Sequence, residues 1–344
     1  MRRGHLKGEL TLSDTAAQTG WAEQIAAQAS KQLGRKIDDM VPIDKGWLNA
    51  KWKMETQEGP LFVKLYHPDR YKLHLHADRL TAMEQTLRLQ HGLQTAGVPC
   101  PAVYAGQVGY LHQLPSGLHY AVLDWSEGDN VPAGHFSEAQ MHSLGAATGR
   151  MHAWLRQVPP LAKPAWQPDR AAYFTAWELN REKAKEANDT VVLGWQSKSQ
   201  RVVESMDFGI FEGAVPGWLH WDLWVDNILV HGRDVSAIVD FDRMTMAYQD
   251  IDVARALLSG ALRNGELDTA KVRSFMDGYR EYNTVTDNML LRAFSMLFLI
   301  ESIWWQRTEI RKQSELRGLL TRFIEEMNWI GDNWDRLPEQ LREL

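Results

Sequence analysis

At 344 residues the chain has the length of about two domains and can bury a core without disulfide staples, which its single cysteine, Cys100, could not form within the chain. The 38 Lys and Arg against 44 Asp and Glu leave a net charge of −6 with no long basic stretch, which excludes nucleic acid as the main partner. A hydrophobic share of 44% and a charged share of 24% exclude a disordered or fibrous chain.

The first ten residues, MRRGHLKGEL, lack an apolar run and a small-residue cleavage site, so no secretory leader is read and a cytoplasmic location is expected. A leading helix is predicted over Thr15–Leu33, capped by Ser13 or Asp14 and stopped by Gly34. Trp47–Thr56 and Leu61–Tyr66 are β-prone runs joined by Gln57-Glu58-Gly59-Pro60, a predicted hairpin. Leu73–Thr95 carries helical spacing and ends at Gly97-Val98-Pro99, before short β-prone runs at Ala102–Gln107 and His119–Trp125. The first third therefore reads as an antiparallel sheet with one inserted helix.

The polar segment Ser126–Asn130 marks a domain boundary, and Ser137 is the predicted N-cap of a helix ending at Leu155. Helices follow over Ala171–Asn188 and near Gln196–Met206. Ile228–His231 and Val235–Asp240, separated by Gly232-Arg233, form a predicted tight hairpin, and helical patterning resumes from Asp250. The apolar stretch Ala293–Trp305 is shorter than the roughly 18 residues of a membrane span and contains Glu301, so a buried core helix is expected and a membrane partner is not.

The segment His220-Trp221-Asp222-Leu223-Trp224-Val225-Asp226-Asn227 precedes this hairpin, and Asp240 ends it thirteen residues after Asn227. Phosphoryl transfer needs a carboxylate to orient the attacking hydroxyl and oxygen ligands for Mg²⁺ to neutralise the phosphates. The spacing His-x-Asp-x4-Asn offers both on one loop: Asp222 for the nucleophile and Asn227 for the metal, with Asp240 brought back as the second ligand.

These residues resemble the aminoglycoside phosphotransferase and choline kinase-like superfamily of small-molecule kinases. Its catalytic segment reads His-Gly-Asp-Leu-x-x-x-Asn-Ile-Leu, then Ile-Asp, then an Asp-Leu/Ile-Ala turn, matched here by His220–Leu229, Val239-Asp240 and Asp252-Val253-Ala254. The likeness runs over about residues 40–260 and implies an α+β, protein kinase-like two-lobed fold. Residues 1–36 would be an N-terminal extension with a helix, 37–127 a nucleotide-binding lobe of antiparallel sheet, and 128–344 a helical lobe holding catalytic loop 218–242 and the acceptor site. The resemblance implies Lys64 on the phosphates of ATP or GTP with Glu84 as its partner. It also implies Asn49 in the phosphate-covering loop, and Leu123 and Trp125 in the hinge along the base. His220 and Asp252 would brace the catalytic loop.

Three departures stand out. Gly46 is the lone glycine of Lys45–Asn49, Trp221 replaces the family's glycine, and Asp242 stands where a protein kinase has the glycine of Asp-Phe-Gly. Acceptor candidates are Trp224, Asp226, Glu301 and Trp305, the last two sharing a helical face at i and i+4. With 15 tryptophans and mild acidity, they suggest a cationic amino sugar, aminoglycoside or amino alcohol. A non-catalytic nucleotide-binding module and a protein kinase are the competing readings. The 12 histidines lack a zinc spacing.

Overall fold

The computed structural model describes residues 12–43, 49–161, 163–313 and 316–342. It divides into two compact units, Met1–Glu127 and Gly128–Leu344.

The first unit opens with helix α1 (Leu12–Leu33), which begins before the expected Thr15. Gly34 ends it in the left-handed region at φ 67°, a conformation that costs glycine little. An antiparallel sheet of five strands follows in the order β1 (Ile37–Pro42), β2 (Ala50–Thr56), β3 (Leu61–Leu65), β5 (His119–Asp124), β4 (His112–Gln113). The β2–β3 hairpin pairs Lys51 with Lys64 and Trp52 with Val63. Side chains alternate across it: Leu61, Val63 and Leu65 pack with Ile25 and Ala29 of α1, whereas Phe62 packs with Ala121 and Leu123 on the other face. Between β3 and β4 lie the short α2 (Pro68–Tyr71) and α3 (Ala77–Thr95), whose Met83 and Leu87 cover that second face. The run Ala102–Gln107 is not a strand; it contributes the single bridge Val103 to Leu123.

The second unit begins with β6 (Asp129–Asn130) and α4 (Glu138–Leu155). Ser137 caps α4 in a reciprocal box with Gln140: the Gln140 N–H donates to Oγ of Ser137, and the Ser137 N–H donates to Oε1 of Gln140. Then come α5 (Arg170–Glu186), α6 (Thr190–Ser205), β7 (Gly217–Leu219), β8 (Ile228–His231), β9 (Asp234–Ile238), β10 (Thr245–Ala247) and α7 (Asp250–Ala261). The short β11 (Leu262–Arg263) and β12 (Glu266–Leu267) precede α8 (Thr269–Arg280), α9 (Met289–Trp305), α10 (Thr308–Arg311), α11 (Arg317–Asn333) and α12 (Leu337–Arg342). Every residue of α7 is buried, and α9 buries Phe294, Leu297, Phe298 and Trp305. Helices α4 and α8 approach closely enough that a Cβ on Gly145 would overlap the carbonyl oxygen of Phe275. Among the described residues, no helix is long and apolar enough to cross a membrane.

Candidate active site

The catalytic segment leaves β7 and runs into β8 through a 3-10 turn, Val225–Asn227. Asp252, fully buried in the first turn of α7, holds its start: Oδ2 accepts the His220 N–H at 2.7 Å and Oδ1 accepts the Trp221 N–H at 2.9 Å. Two consecutive amides on one carboxylate are charge-assisted bonds that fix the backbone here. That backbone is unusual, because Trp221 sits at φ 70°, the left-handed region. The family's glycine at this position thus has a conformational reason, and tryptophan bears about 1–2 kcal/mol of strain in its place.

His220 completes the frame. Its Nε2 donates to the Val239 carbonyl at 3.1 Å, so Nδ1 is the acceptor for the Asp222 N–H at 3.3 Å. Asp252 is itself steadied by buried His152, whose Nε2 lies 3.2 Å from Oδ2 and whose Nδ1 lies 3.1 Å from the Tyr279 hydroxyl. Burial pushes that hydroxyl's pKa upward and keeps it a donor.

Asn227 donates from Nδ2 to the Asp222 carbonyl at 2.8 Å, which turns its Oδ1 away as an acceptor. The Val239 N–H donates to the Asn227 carbonyl at 2.9 Å, so the β8–β9 hairpin returns Asp240 beside Asn227. Asp240 takes φ 63° and opens the 3-10 turn Phe241–Arg243. Phe241 packs on His220 at 4.6 Å. One carboxylate and one amide oxygen form a hard donor set of the kind Mg²⁺ uses when phosphates complete its shell. The described residues hold no group of three or more His, Cys, Asp or Glu side chains that would cage a metal without them.

Asp222 has 32% of its side chain exposed, with Nη1 of Arg243 at 3.9 Å from Oδ1. Sequence reasoning missed Arg243, though its place three residues after Asp240 on the hairpin exit was a signal.

In the first unit, Lys64 is buried at 5% exposure, and Nζ lies 5.9 Å from the Tyr66 ring centre. Glu84 requires a correction. Its carboxylate accepts the N–H groups of Tyr110 and Leu111 at 2.9–3.1 Å and pairs with Arg88 at 3.0 Å, in place of the expected pairing with Lys64. It anchors the turn before β4, where a Cβ on Gly109 would come within 2.5 Å of it. Asn49 donates to the Tyr71 hydroxyl at 3.0 Å, and its Oδ1 accepts the His67 N–H at 3.4 Å. Leu123 is buried on β5, and half-buried Trp125 carries Lys53 over its ring at 5.1 Å. Lys45–Leu48, the rest of the expected phosphate-covering loop, lies outside the described residues.

The acceptor candidates divide. Trp224 is half-buried and Asp226 exposed, both on the catalytic loop. Glu301 and Trp305 are corrected: Glu301 is buried against Arg255 of α7, and Trp305 is fully buried with its ring 5.0 Å from that of Trp195. Their shared helical face points into the core. Instead, Trp224 packs edge-on to Phe323 of α11 at 5.9 Å, and Phe323 packs on half-buried Trp304 at 5.6 Å. Phe323 was not singled out by the sequence, and Trp304, read as a core-packing residue, is half-buried.

A braced Asp beside an Asn and a second Asp is the arrangement that kinase-type phosphoryl transfer calls for. The model of the phosphotransferase enzyme family matches residues 39–284, and the chain belongs to that family. It is similar to the homoserine kinase of Rhodopseudomonas palustris (strain BisA53), 24% identical over 69% of this chain and 68% of that protein. The homoserine kinase of Nitrobacter hamburgensis (strain DSM 10229 / NCIMB 13809 / X14) is 23% identical over 75% and 76%. Among solved structures, an amicoumacin kinase in complex with AMP-PNP, Ca²⁺ and Ami superposes with a TM-score of 0.61 at 16% identity, covering 92% of this chain and 96% of that one. The GDP complex of aminoglycoside 2'-phosphotransferase-IIIa gives 0.61 at 13% identity, covering 90% and 98%. The fold is thus kinase-like, and the chain is a small-molecule kinase.

Proposed function

We propose that the chain transfers the γ-phosphoryl group of ATP or GTP to a hydroxyl of a small, cationic acceptor, an amino alcohol or amino sugar. The observation that carries the phosphotransfer reading is the double amide clamp of Asp252 on His220 and Trp221, which presents Asp222 one residue on. Asp222 orients the acceptor hydroxyl and takes its proton as the new O–P bond forms and the bond to the leaving nucleoside diphosphate breaks. Asn227 Oδ1 and Asp240 would hold Mg²⁺, which when bound neutralises charge on the phosphates. Lys64 is the proposed phosphate contact of the first unit. The half-buried Trp224 with exposed Asp226 on the same loop supports a cationic acceptor, since an aromatic face beside a carboxylate attracts an ammonium group.

The relatives' names point to different acceptors, homoserine in some and aminoglycosides in others, so a panel decides among them. Mg²⁺-dependent release of ADP or GDP is to be measured with homoserine, choline, amino sugars, aminoglycosides and neutral polyols. Stimulation by an amine-bearing alcohol, lost in Asp222→Asn, is the expected result. Stimulation by neutral or anionic alcohols alone would reject the cationic acceptor, and no stimulation above the mutant would reject Asp222 as the base.

A further inference from the structure

Beneath the catalytic loop lies a group of buried charges with no part in the reaction as described so far. Arg255 follows Asp252 by one turn of α7 and is buried. Its guanidinium pairs with Glu301 of α9, reaches Oε2 of Glu326 of α11 at 3.5 Å, and covers the ring of Phe323 at 4.6 Å. Phe323 in turn touches Trp224, two residues beyond Asp222. Glu326 is fully buried and also meets Nε of Arg322 at 3.1 Å, while Arg322 donates to the carbonyls of Leu258 and Leu262 at the end of α7 and pairs with Glu325. The set is under-bonded: Nε and Nη1 of Arg255, Oε2 of Glu301 and Oε2 of Glu326 are buried without hydrogen-bond partners. Such a network responds sharply to a change of one charge.

We propose that Arg255 is a positioning residue for phosphoryl transfer, and that the charge on Glu326 sets how strongly Arg255 acts on the Asp222 loop. The proposal rests on the phosphotransferase reading of that loop. Burial pushes the Glu326 carboxyl up to about 7, against the downward pull of Arg255 and Arg322 and with an upward push from Glu301. Arg255 is held cationic by Glu301, Glu326 and Asp222 together, despite its burial. When Glu326 is ionised, the Arg255 guanidinium is held between Glu301 and Glu326 and over the Phe323 ring, which seats Trp224 and the loop that carries Asp222. When Glu326 is protonated, that hold on Arg255 slackens and the loop presents Asp222 less well. Turnover therefore gains a rising limb near neutral pH that originates two helices away from the substrate.

The test follows the indole N–H resonance of Trp224, assigned by its loss in Trp224→Phe, together with kcat against pH. In the full-length wild type the resonance should move with a midpoint near pH 7, and kcat should rise roughly threefold to tenfold through the same midpoint. Glu326→Gln should abolish both changes, and Glu301→Gln, which removes the anion that pushes Glu326 upward, should shift the midpoint to lower pH. A purely structural network could move the resonance but would leave kcat without this midpoint, and that result overturns the positioning role of Arg255. A wild-type resonance without the midpoint, or a midpoint that survives Glu326→Gln, overturns the inference. Should Glu326→Gln fail to fold, an unmoved midpoint in Glu301→Gln overturns it. The expected resonance shifts without phosphoryl transfer by the wild type would instead overturn the phosphotransferase reading and leave the linkage to the loop standing.

Discussion

Replacing Asp252 by Asn isolates the contribution of the clamp. The carboxylate accepts two buried N–H groups, from His220 and Trp221, and faces the His152 imidazole at 3.2 Å. Bonds of this kind to a charged acceptor contribute about 1.5–3 kcal/mol each. Asn keeps one neutral bond through its carbonyl oxygen and sets an NH₂ against the other N–H, so both lose the charge and one is lost outright. The expected cost is about 3 kcal/mol, which for a unit of this size lowers Tm by roughly 6–12 °C. Function should suffer more than stability. Trp221 is held at φ 70° by one of these bonds, and its release turns the backbone that presents Asp222. A displacement of about 1 Å at the base costs on the order of 10²-fold in turnover. Scanning calorimetry and kcat on the folded variant measure the two effects. A Tm within about 2 °C of wild type, with turnover within about threefold, would refute the clamp.

Other consequences are independent of that clamp. Asp240→Ala should weaken Mg-nucleotide binding by about tenfold or more while Tm changes little; titration calorimetry with unaltered affinity would remove Asp240 as a metal ligand. Gly145→Ala should destabilise the second unit by roughly 1–3 kcal/mol, because its Cβ meets the Phe275 backbone and not a yielding side chain; urea unfolding reads this. Glu326 has its folded pKa raised from 4.5 to about 7, so its ionisation penalty is absent below pH 4.5 and complete above 7. Stability of wild type relative to Glu326→Gln should therefore fall across that window by about 3 kcal/mol, and a pH-independent difference would contradict the buried carboxyl.

What the sequence disclosed follows the range of the interactions. The catalytic segment was readable because its bonds are local: Asn227 reaches Asp222 five residues back, and a tight hairpin returns Asp240. Ser137 was readable as a cap for the same reason. Strand β1 was missed because Ile37–Pro42 is a largely exposed edge with no alternating apolar face. The i, i+4 argument put Glu301 and Trp305 on one helical face correctly, yet it could not name what that face meets. Arg255 lies 46 residues from Glu301, and Trp195 approaches Trp305 from another helix. Glu84 misled for a different reason. Its partners are the backbone N–H groups of Tyr110 and Leu111, which carry no side-chain signature.

The central claim is that Asp222 drives transfer of phosphate from a nucleotide to an alcohol. Its most direct test is ³¹P NMR of the wild type and Asp222→Asn incubated with Mg²⁺, ATP or GTP and the stimulating acceptor. The account predicts a growing phosphate monoester signal for the wild type, lowered about 10²- to 10⁴-fold in the mutant with nucleotide affinity unchanged. Monoester formation by Asp222→Asn at near wild-type rate would contradict it.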